Sequence, residues 1–205
     1  MRIISGTLGS RRLLTVEGEG YRPAMGKVRE SLFSILSHRL NWQGLRVLDL
    51  YAGSGSLAFE ALSRGAAAAW LVELAAPACR CIKANIRNLG LEGRAFLVQE
   101  NVLHLLRRVK GADRNIAGPF DVVFVDPPYR RHLTQSSIDA LAECGWLSPK
   151  AHVVVEVEEG LVLRLPDNLE LCTQRDFGQT HTLIARVRQP QDQSPERQSE
   201  EGQPA

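Results

Sequence analysis

The stretch Val47-Leu48-Asp49-Leu50-Tyr51-Ala52-Gly53-Ser54-Gly55-Ser56-Leu57-Ala58 decides how this chain is read. An apolar run passes without a linker into a glycine-containing turn, and then into a helical pattern that stops before Gly65. Strand, tight turn and helix in that order build the unit at whose mouth open α/β sheets bind nucleotides, because glycine lets the backbone pass close to a ligand. Gly53, Gly55 and Ala58 fit the spacing GxGxxG/A, which alone also describes a dinucleotide fingerprint or a plain tight turn.

Two carboxylates narrow the choice. Glu73 ends the next apolar run, Trp70-Leu71-Val72-Glu73, twenty residues after Gly53, where an acid can accept both hydroxyls of a ribose. Asp49 lies inside the first run. A carboxylate just below the loop repels a pyrophosphate but can hydrogen-bond to the cationic amino-acid end of S-adenosylmethionine. The pair therefore favours adenosylmethionine over NAD, with Asp49, Tyr51, Ala52, Gly53, Ser54, Gly55 and Glu73 as cofactor-binding candidates.

Further apolar runs follow at 95–98, 121–126 and 152–157, with helical patterns at 57–64, 76–89, 101–110 and 134–145 between them. Such alternation predicts a parallel sheet wrapped by helices. The runs at 169–173 and 181–187 flank Gly178 with no helix between, so the sheet is expected to finish with a hairpin. Upstream, residues 2–7 and 11–16 read as two short strands around Leu8-Gly9-Ser10, and Val28, Leu32, Phe33, Ile35, Leu36 and Leu40 have helical spacing.

The run at 121–126 ends in Asp126-Pro127-Pro128-Tyr129, at the same carboxyl edge of the expected sheet as the glycine loop. Exocyclic amines of bases are poor nucleophiles because the lone pair is delocalised into the ring. A site that methylates one needs acceptors for the amine hydrogens and must hold the nitrogen in line with the methyl group. Asp126 supplies a carboxylate, Pro127 a carbonyl aimed by the rigid Pro-Pro unit, and Tyr129 a face on which a base can stack. These three are the catalytic candidates. Whether Asp126 takes a proton or only accepts a hydrogen bond stays open. His104 and His132 read as surface polar residues rather than bases.

The 205 residues, 44% hydrophobic and 23% charged, suit one domain with a substantial core. No run of 18 apolar residues and no signal-like start occur, which sets the expectation of a soluble, cytoplasmic protein. Cys79, Cys81, Cys144 and Cys172 lack CxxC or zinc spacing, so reduced thiols and no metal are expected. The net charge of +2 argues against a strongly basic nucleic-acid binder until it is partitioned. Residues 1–46 carry eight basic and three acidic residues, a surplus of +5; residues 47–188 hold 16 of each sign; the polar tail from Gln189 holds one basic and four acidic residues, a balance of −3. The surplus sits at one end, and 21 of 25 cations are Arg, the residue suited to bidentate phosphate contact. Arg2, Arg11, Arg12, Arg22, Lys27, Arg29, Arg130 and Arg131 are the candidates for binding RNA or DNA, and the tail is expected to be disordered.

Together Arg2-Ile3-Ile4-Ser5-Gly6, Arg22-Pro23, Val28-Arg29-Glu30-Ser31-Leu32-Phe33, the glycine loop, Glu60-Ala61-Leu62-Ser63-Arg64-Gly65-Ala66 and Asp126-Pro127-Pro128-Tyr129 make the chain resemble the RsmD family of bacterial ribosomal RNA methyltransferases, over about residues 2–188. The resemblance implies methylation of the exocyclic N2 of a guanine, the position called G966, in 16S rRNA or the assembling 30S subunit. It also implies a class I S-adenosylmethionine-dependent methyltransferase fold: Rossmann-like α/β, a seven-stranded mixed sheet with an antiparallel last strand, and a small N-terminal β-hairpin and helix extension. The expected organisation is 1–45 as the basic RNA-facing module, 46–188 as the methyltransferase domain and 189–205 as the tail, in a monomer.

The chain departs from the family pattern in three places. Met25-Gly26 replaces a polar or acidic residue, and Leu74-Ala75-Ala76 replaces charged residues after the second acid, giving the adenosine site an apolar edge at Leu74. Glu100-Asn101 stands where an Asp is common; the Asn101 carbonyl can serve as the adenine acceptor, with Val102 beside it. The rival readings are a DNA adenine or cytosine amino-methyltransferase, disfavoured by the lack of a duplex-reading domain, and a protein glutamine methyltransferase, which would carry Asn at position 126. An RNA-binding protein that keeps the fold without turnover is a third, and a NAD-dependent oxidoreductase a fourth.

Overall fold

The computed structural model describes residues 1–16, 23–108, 116, 118–128, 133–158, 160–177 and 180–189. Among them the elements run α1 (Pro23–Arg39), β1 (Arg46–Leu50), α2 (Ser56–Ser63), β2 (Ala68–Glu73), α3 (Ala76–Leu89), β3 (Ala95–Gln99), α4 (Val102–Leu106), β4 (Phe120–Val125), α5 (Leu133–Glu143), β5 (Leu147–Glu158), β6 (Leu169–Phe177) and β7 (Thr180–Val187). The seven strands form one sheet in the order β3-β2-β1-β4-β5-β7-β6. Strands β1 to β5 pair in parallel, and β7 runs antiparallel to both β5 and β6, which is the expected closing hairpin.

Alternation along the strands feeds two cores, one on each face of the sheet. Val47, Val122 and Phe124 point to the face covered by α1, α2 and α3, through Leu32, Phe33, Leu36, Phe59, Leu62, Ile82 and Ile86. Leu48, Leu50, Val123 and Val125 point to the other face, covered by Leu105 and Leu106 of α4 and Ile138 and Leu141 of α5. In α3 the buried residues Ala78, Cys79, Ile82, Asn85, Ile86 and Leu89 follow the three-four spacing of a single helical stripe. Helix α4 is shorter than the expected 101–110, and residues 109 and 110 lie outside the described residues. All four cysteines stand as thiols; only Cys79 is buried.

The N-terminal strands expected at 2–7 and 11–16 shrink to one antiparallel bridge, Arg2 with Arg12. Backbone bonds still join the two arms, from Ile3 N to Arg11 O (3.0 Å), Ser10 N to Ile3 O (2.9 Å) and Leu13 N to Met1 O (3.0 Å), and α2 takes further amides of the segment. Glu60, fully buried, accepts from the amides of Ile4 (2.7 Å) and Ser5 (3.1 Å), and Ser63 accepts at its carbonyl from Thr7 N (2.8 Å) and at Oγ from Leu8 N (2.9 Å). Ile3 and Leu13 are buried in the same core as α1 and α2, so the segment is packed onto the sheet domain rather than held away from it.

Candidate active site

The parallel register sets the site. Leu50 of β1 lies beside Val72 of β2 and Val125 of β4, so Glu73, Tyr51 and Asp126 follow at matching positions on three adjacent strands. At a strand spacing of about 4.8 Å, Glu73 and Asp126 flank Tyr51 across roughly 10 Å of sheet edge. The chain goes from β1 outward to β2 and β3, then crosses to β4 on the other side of β1. Ligands of open α/β sheets bind at the carboxyl ends of the strands where the order reverses in this way.

The loop between β1 and α2 is pinned from several sides. Tyr51 takes a positive φ of 61°, and its hydroxyl lies 2.8 Å from Ser137 Oγ on α5, so the ring is anchored to the opposite layer. Partial burial raises the Tyr51 pKa, against the lowering effect of that hydrogen bond. Ala52 N donates to Val72 O (3.0 Å), Gly53 N to Glu73 Oε2 (2.9 Å) and Gly55 N to Ala52 O (2.7 Å). Gly53 (φ 53°) and Gly55 (φ 80°) both need the left-handed region, but they differ in surroundings. A Cβ on Gly55 would lie 2.6 Å from both Leu71 Cδ2 and Phe59 Cε2, whereas a Cβ on Gly53 would meet nothing within 4 Å. Gly55 is therefore a packing glycine, and Gly53 borders open space at the sheet edge.

Glu73 organises the adjoining turn as well as the loop. Its Oε1 accepts from the amides of Leu74 and Ala75, both at 2.7 Å, while Oε2 takes Gly53 N. A carboxylate offers about four acceptor positions, so these three bonds orient it and still leave capacity for a ligand hydroxyl. Leu74 beside it is 59% exposed, an apolar side chain open to solvent at this edge.

Asp49 is buried beneath the loop on the α2 side and accepts from Ala58 N at 3.1 Å. Burial pushes its pKa up to about 8; the Ala58 bond opposes this and the nearby Glu73 charge adds to it. With that pKa the acid is mainly protonated at neutral pH. A cation placed over it would draw it into the charged form.

The strand-four motif is described in part. Pro127 is buried and Asp126 half-buried at the end of β4, which directs both to the sheet edge next to Tyr51. Tyr129 lies outside the described residues, as do Arg22, Arg130, Arg131 and His132.

Three residues named from sequence have other work in the structure. Asn101 Oδ1 accepts from His104 N at 3.0 Å, so the side chain caps α4. Asn is among the preferred helix caps, and the amide oxygen keeps a second acceptor position for the expected adenine contact. Its neighbour Glu100 is engaged by Arg108 and by His104 Nδ1, the latter at 3.0 Å. Val102 is buried with Leu48, Trp70 and Val72 in the second core, so only its backbone can border a ligand. Arg29 is 6% exposed and donates to the carbonyl of Arg2 and to Met1 Sδ. It holds the N-terminus onto α1 and is not a surface cation, because its guanidinium is buried on these two acceptors. Arg2, Arg11, Arg12 and Lys27 are exposed; Arg2 also donates to Ser10 O, and Arg11 to Asn88 O.

Sequence reasoning missed Glu60, Ser63 and Asn85, which carry the N-terminal segment. Glu60 and Asn85 stand on the apolar stripes of their helices, and polar residues in that position are the signal that could have found them.

A family model described as conserved hypothetical protein 95 matches residues 1–186. The relative named ribosomal RNA small subunit methyltransferase D in Escherichia coli K12 is 38% identical over 181 residues, covering 87% of this chain and 86% of that one. The protein of the same name in Haemophilus influenzae is 35% identical over 179 residues, covering 87% and 89%. The solved structure of yhhF from Escherichia coli superposes with a TM-score of 0.78 at 35% identity, covering 91% of this chain and 97% of that one. With the glycine loop, Glu73 and Asp126 at one edge of a sheet of matching topology, the chain belongs to the RsmD family and has the class I S-adenosylmethionine-dependent methyltransferase fold.

Proposed function

We propose that this protein transfers a methyl group from S-adenosylmethionine to the exocyclic N2 of a guanine, the position called G966, in 16S rRNA of the small ribosomal subunit. The observation that carries the reading is the common sheet edge of the pinned glycine loop, Glu73 and Asp126-Pro127 in a chain of this family. When bound, the cofactor supplies an electrophilic methyl group on a sulfonium. The residues present fit it: open space borders Gly53, an oriented carboxylate stands at Glu73, an apolar surface at Leu74 and a second carboxylate at Asp49.

Asp49 and Glu73 hold the amino-acid and ribose ends. Asp126 and the Pro127 carbonyl accept the two amine hydrogens of the base, which turns the nitrogen lone pair toward the methyl group and lowers the cost of localising it. Tyr129 holds the ring by stacking. The exposed cations Arg2, Arg11, Arg12 and Lys27, with Arg22, Arg130 and Arg131, contact phosphates and orient the RNA, while the folded rRNA context selects the base. The protein works as a cytoplasmic monomer, with residues 1–45 forming the RNA-facing part. Labelled adenosylmethionine incubated with small subunits from a strain lacking the enzyme should put label on one guanine. Label on DNA or protein, or none on a guanine, overturns the reading.

A further inference from the structure

Asn85 of α3 is fully buried and belongs to neither the catalytic nor the cofactor-binding set. Its Oδ1 accepts from Leu14 N at 2.8 Å, and its Nδ2 donates to Leu14 O at 3.0 Å and to Ser54 O at 3.2 Å. One planar amide thus holds both peptide groups of Leu14, two residues after the exposed pair Arg11-Arg12, and the carbonyl of the central residue of the Gly53-Ser54-Gly55 turn. Cys81, one turn earlier on α3, also donates to Leu14 O, at 3.0 Å. On the far side of the same turn, Gly53 N is held by Glu73. Because Oδ1 and Nδ2 share one rigid plane, a shift of the Leu14 peptide rotates the donor that faces Ser54 O.

We infer that Asn85 is a positioning residue that couples RNA held by the N-terminal segment to cofactor held by the glycine loop, so that each ligand tightens the binding of the other. The inference rests on the proposed function, because it takes the RNA surface and the cofactor loop from that reading. RNA phosphates on Arg11 and Arg12 fix the Leu13-Leu14 backbone. That fixes the amide of Asn85 and with it the turn that borders the cofactor space. Coupling between two binding sites is reciprocal and commonly amounts to about 5- to 150-fold. A side chain shared by both sites is a physical route for it, and a coupling measurement is what establishes it.

The test is equilibrium dialysis of radiolabelled S-adenosylhomocysteine against the full chain, with and without saturating unmethylated 30S subunits. Wild type should bind the nucleoside at least about five-fold tighter when subunits are present. In Asn85→Ala the ratio should fall to within about two-fold of unity. Leu14→Pro removes the amide that donates to Oδ1 while leaving Asn85 and the loop intact, so it should lower the ratio too and serves if Asn85→Ala does not fold. A merely structural role would lower thermal stability and weaken both ligands while keeping the ratio. A wild-type ratio below two, or a wild-type ratio retained in Leu14→Pro, overturns the inference. Failure of wild type to bind either ligand alone overturns the function from which it starts.

Discussion

Gly53→Ala and Gly55→Ala, two residues apart in one turn, should fail in different ways. Both positions have positive φ, 53° and 80°, where a Cβ costs about 1–2 kcal/mol. Alanine returns about 0.4–1 kcal/mol by restricting the unfolded chain, which leaves a net cost of about 1 kcal/mol. At Gly53 nothing else is added, since a Cβ meets no atom within 4 Å. At Gly55 the Cβ lies 2.6 Å from Leu71 and from Phe59, both fully buried, so an overpacking cost of about 1–3 kcal/mol joins it. The totals are about 1 kcal/mol for Gly53→Ala and about 2–4 kcal/mol for Gly55→Ala. For a domain of this size, 1 kcal/mol moves Tm by about 2–4 °C. Melting followed by circular dichroism should show a fall of about 2–4 °C for Gly53→Ala and about 4–16 °C for Gly55→Ala. Calorimetric titration with S-adenosylhomocysteine should show the reverse ranking among variants still folded at the assay temperature. The Gly53 methyl enters the space in front of the loop and should weaken binding at least about tenfold, near 1.4 kcal/mol. Wild-type affinity in Gly53→Ala, or a Gly55→Ala melt within about 2 °C of wild type, would refute the division of labour.

Asp49 keeps its proton to about pH 8 when folded but loses it near 4 when unfolded. The native state therefore binds the extra proton between those values, and stability falls as pH rises through that window. Asp49→Asn should flatten this part of a Tm-versus-pH curve between pH 5 and 8, and an unchanged slope counts against the assignment. Glu73→Ala removes the acceptor of three backbone amides together with the ribose partner; S-adenosylhomocysteine should bind about 10- to 100-fold more weakly in titration, and a smaller loss denies Glu73 its role. Asp126→Ala should nearly abolish methyl transfer to subunits while sparing cofactor affinity, and normal turnover would exclude it from the site. Arg12→Ala should lower the slope of log affinity for RNA against log salt by about 1, whereas Arg29→Met should leave the slope alone and lower Tm, because Arg29 is buried; filter binding at several salt concentrations distinguishes them.

The seven strands and most helix positions were legible because apolar periodicity and glycine placement are local properties. The placement of Glu73 and Asp126 was legible because each acid ends an apolar run, and every run of a parallel sheet ends at the same edge. Three details were not legible, for reasons that are not local. Arg29 belongs to a basic cluster in sequence, but its side chain turns inward to the Arg2 carbonyl. Asn101 has the acceptor expected for adenine, and one of its two acceptor positions caps the first turn of α4. The N-terminal hairpin pairs through Ile3 N to Arg11 O and Leu13 N to Met1 O, while its amides at Ile4, Ser5 and Leu8 go to Glu60 and Ser63 from more than fifty residues away.

The sequence by itself determined the order of elements, the glycine turn of the first strand-turn-helix unit and the acids that end their strands along the sheet edge. Only the tertiary structure decided that the basic N-terminal segment packs onto α2 and α3, and that a single buried amide at Asn85 touches both this segment and the glycine loop. The physical reason is distance along the chain. Leu14, Ser54 and Asn85 are brought together by the burial of Ile3, Leu13 and Ile82 in one core, and no local pattern records which distant backbone groups a buried polar side chain will meet.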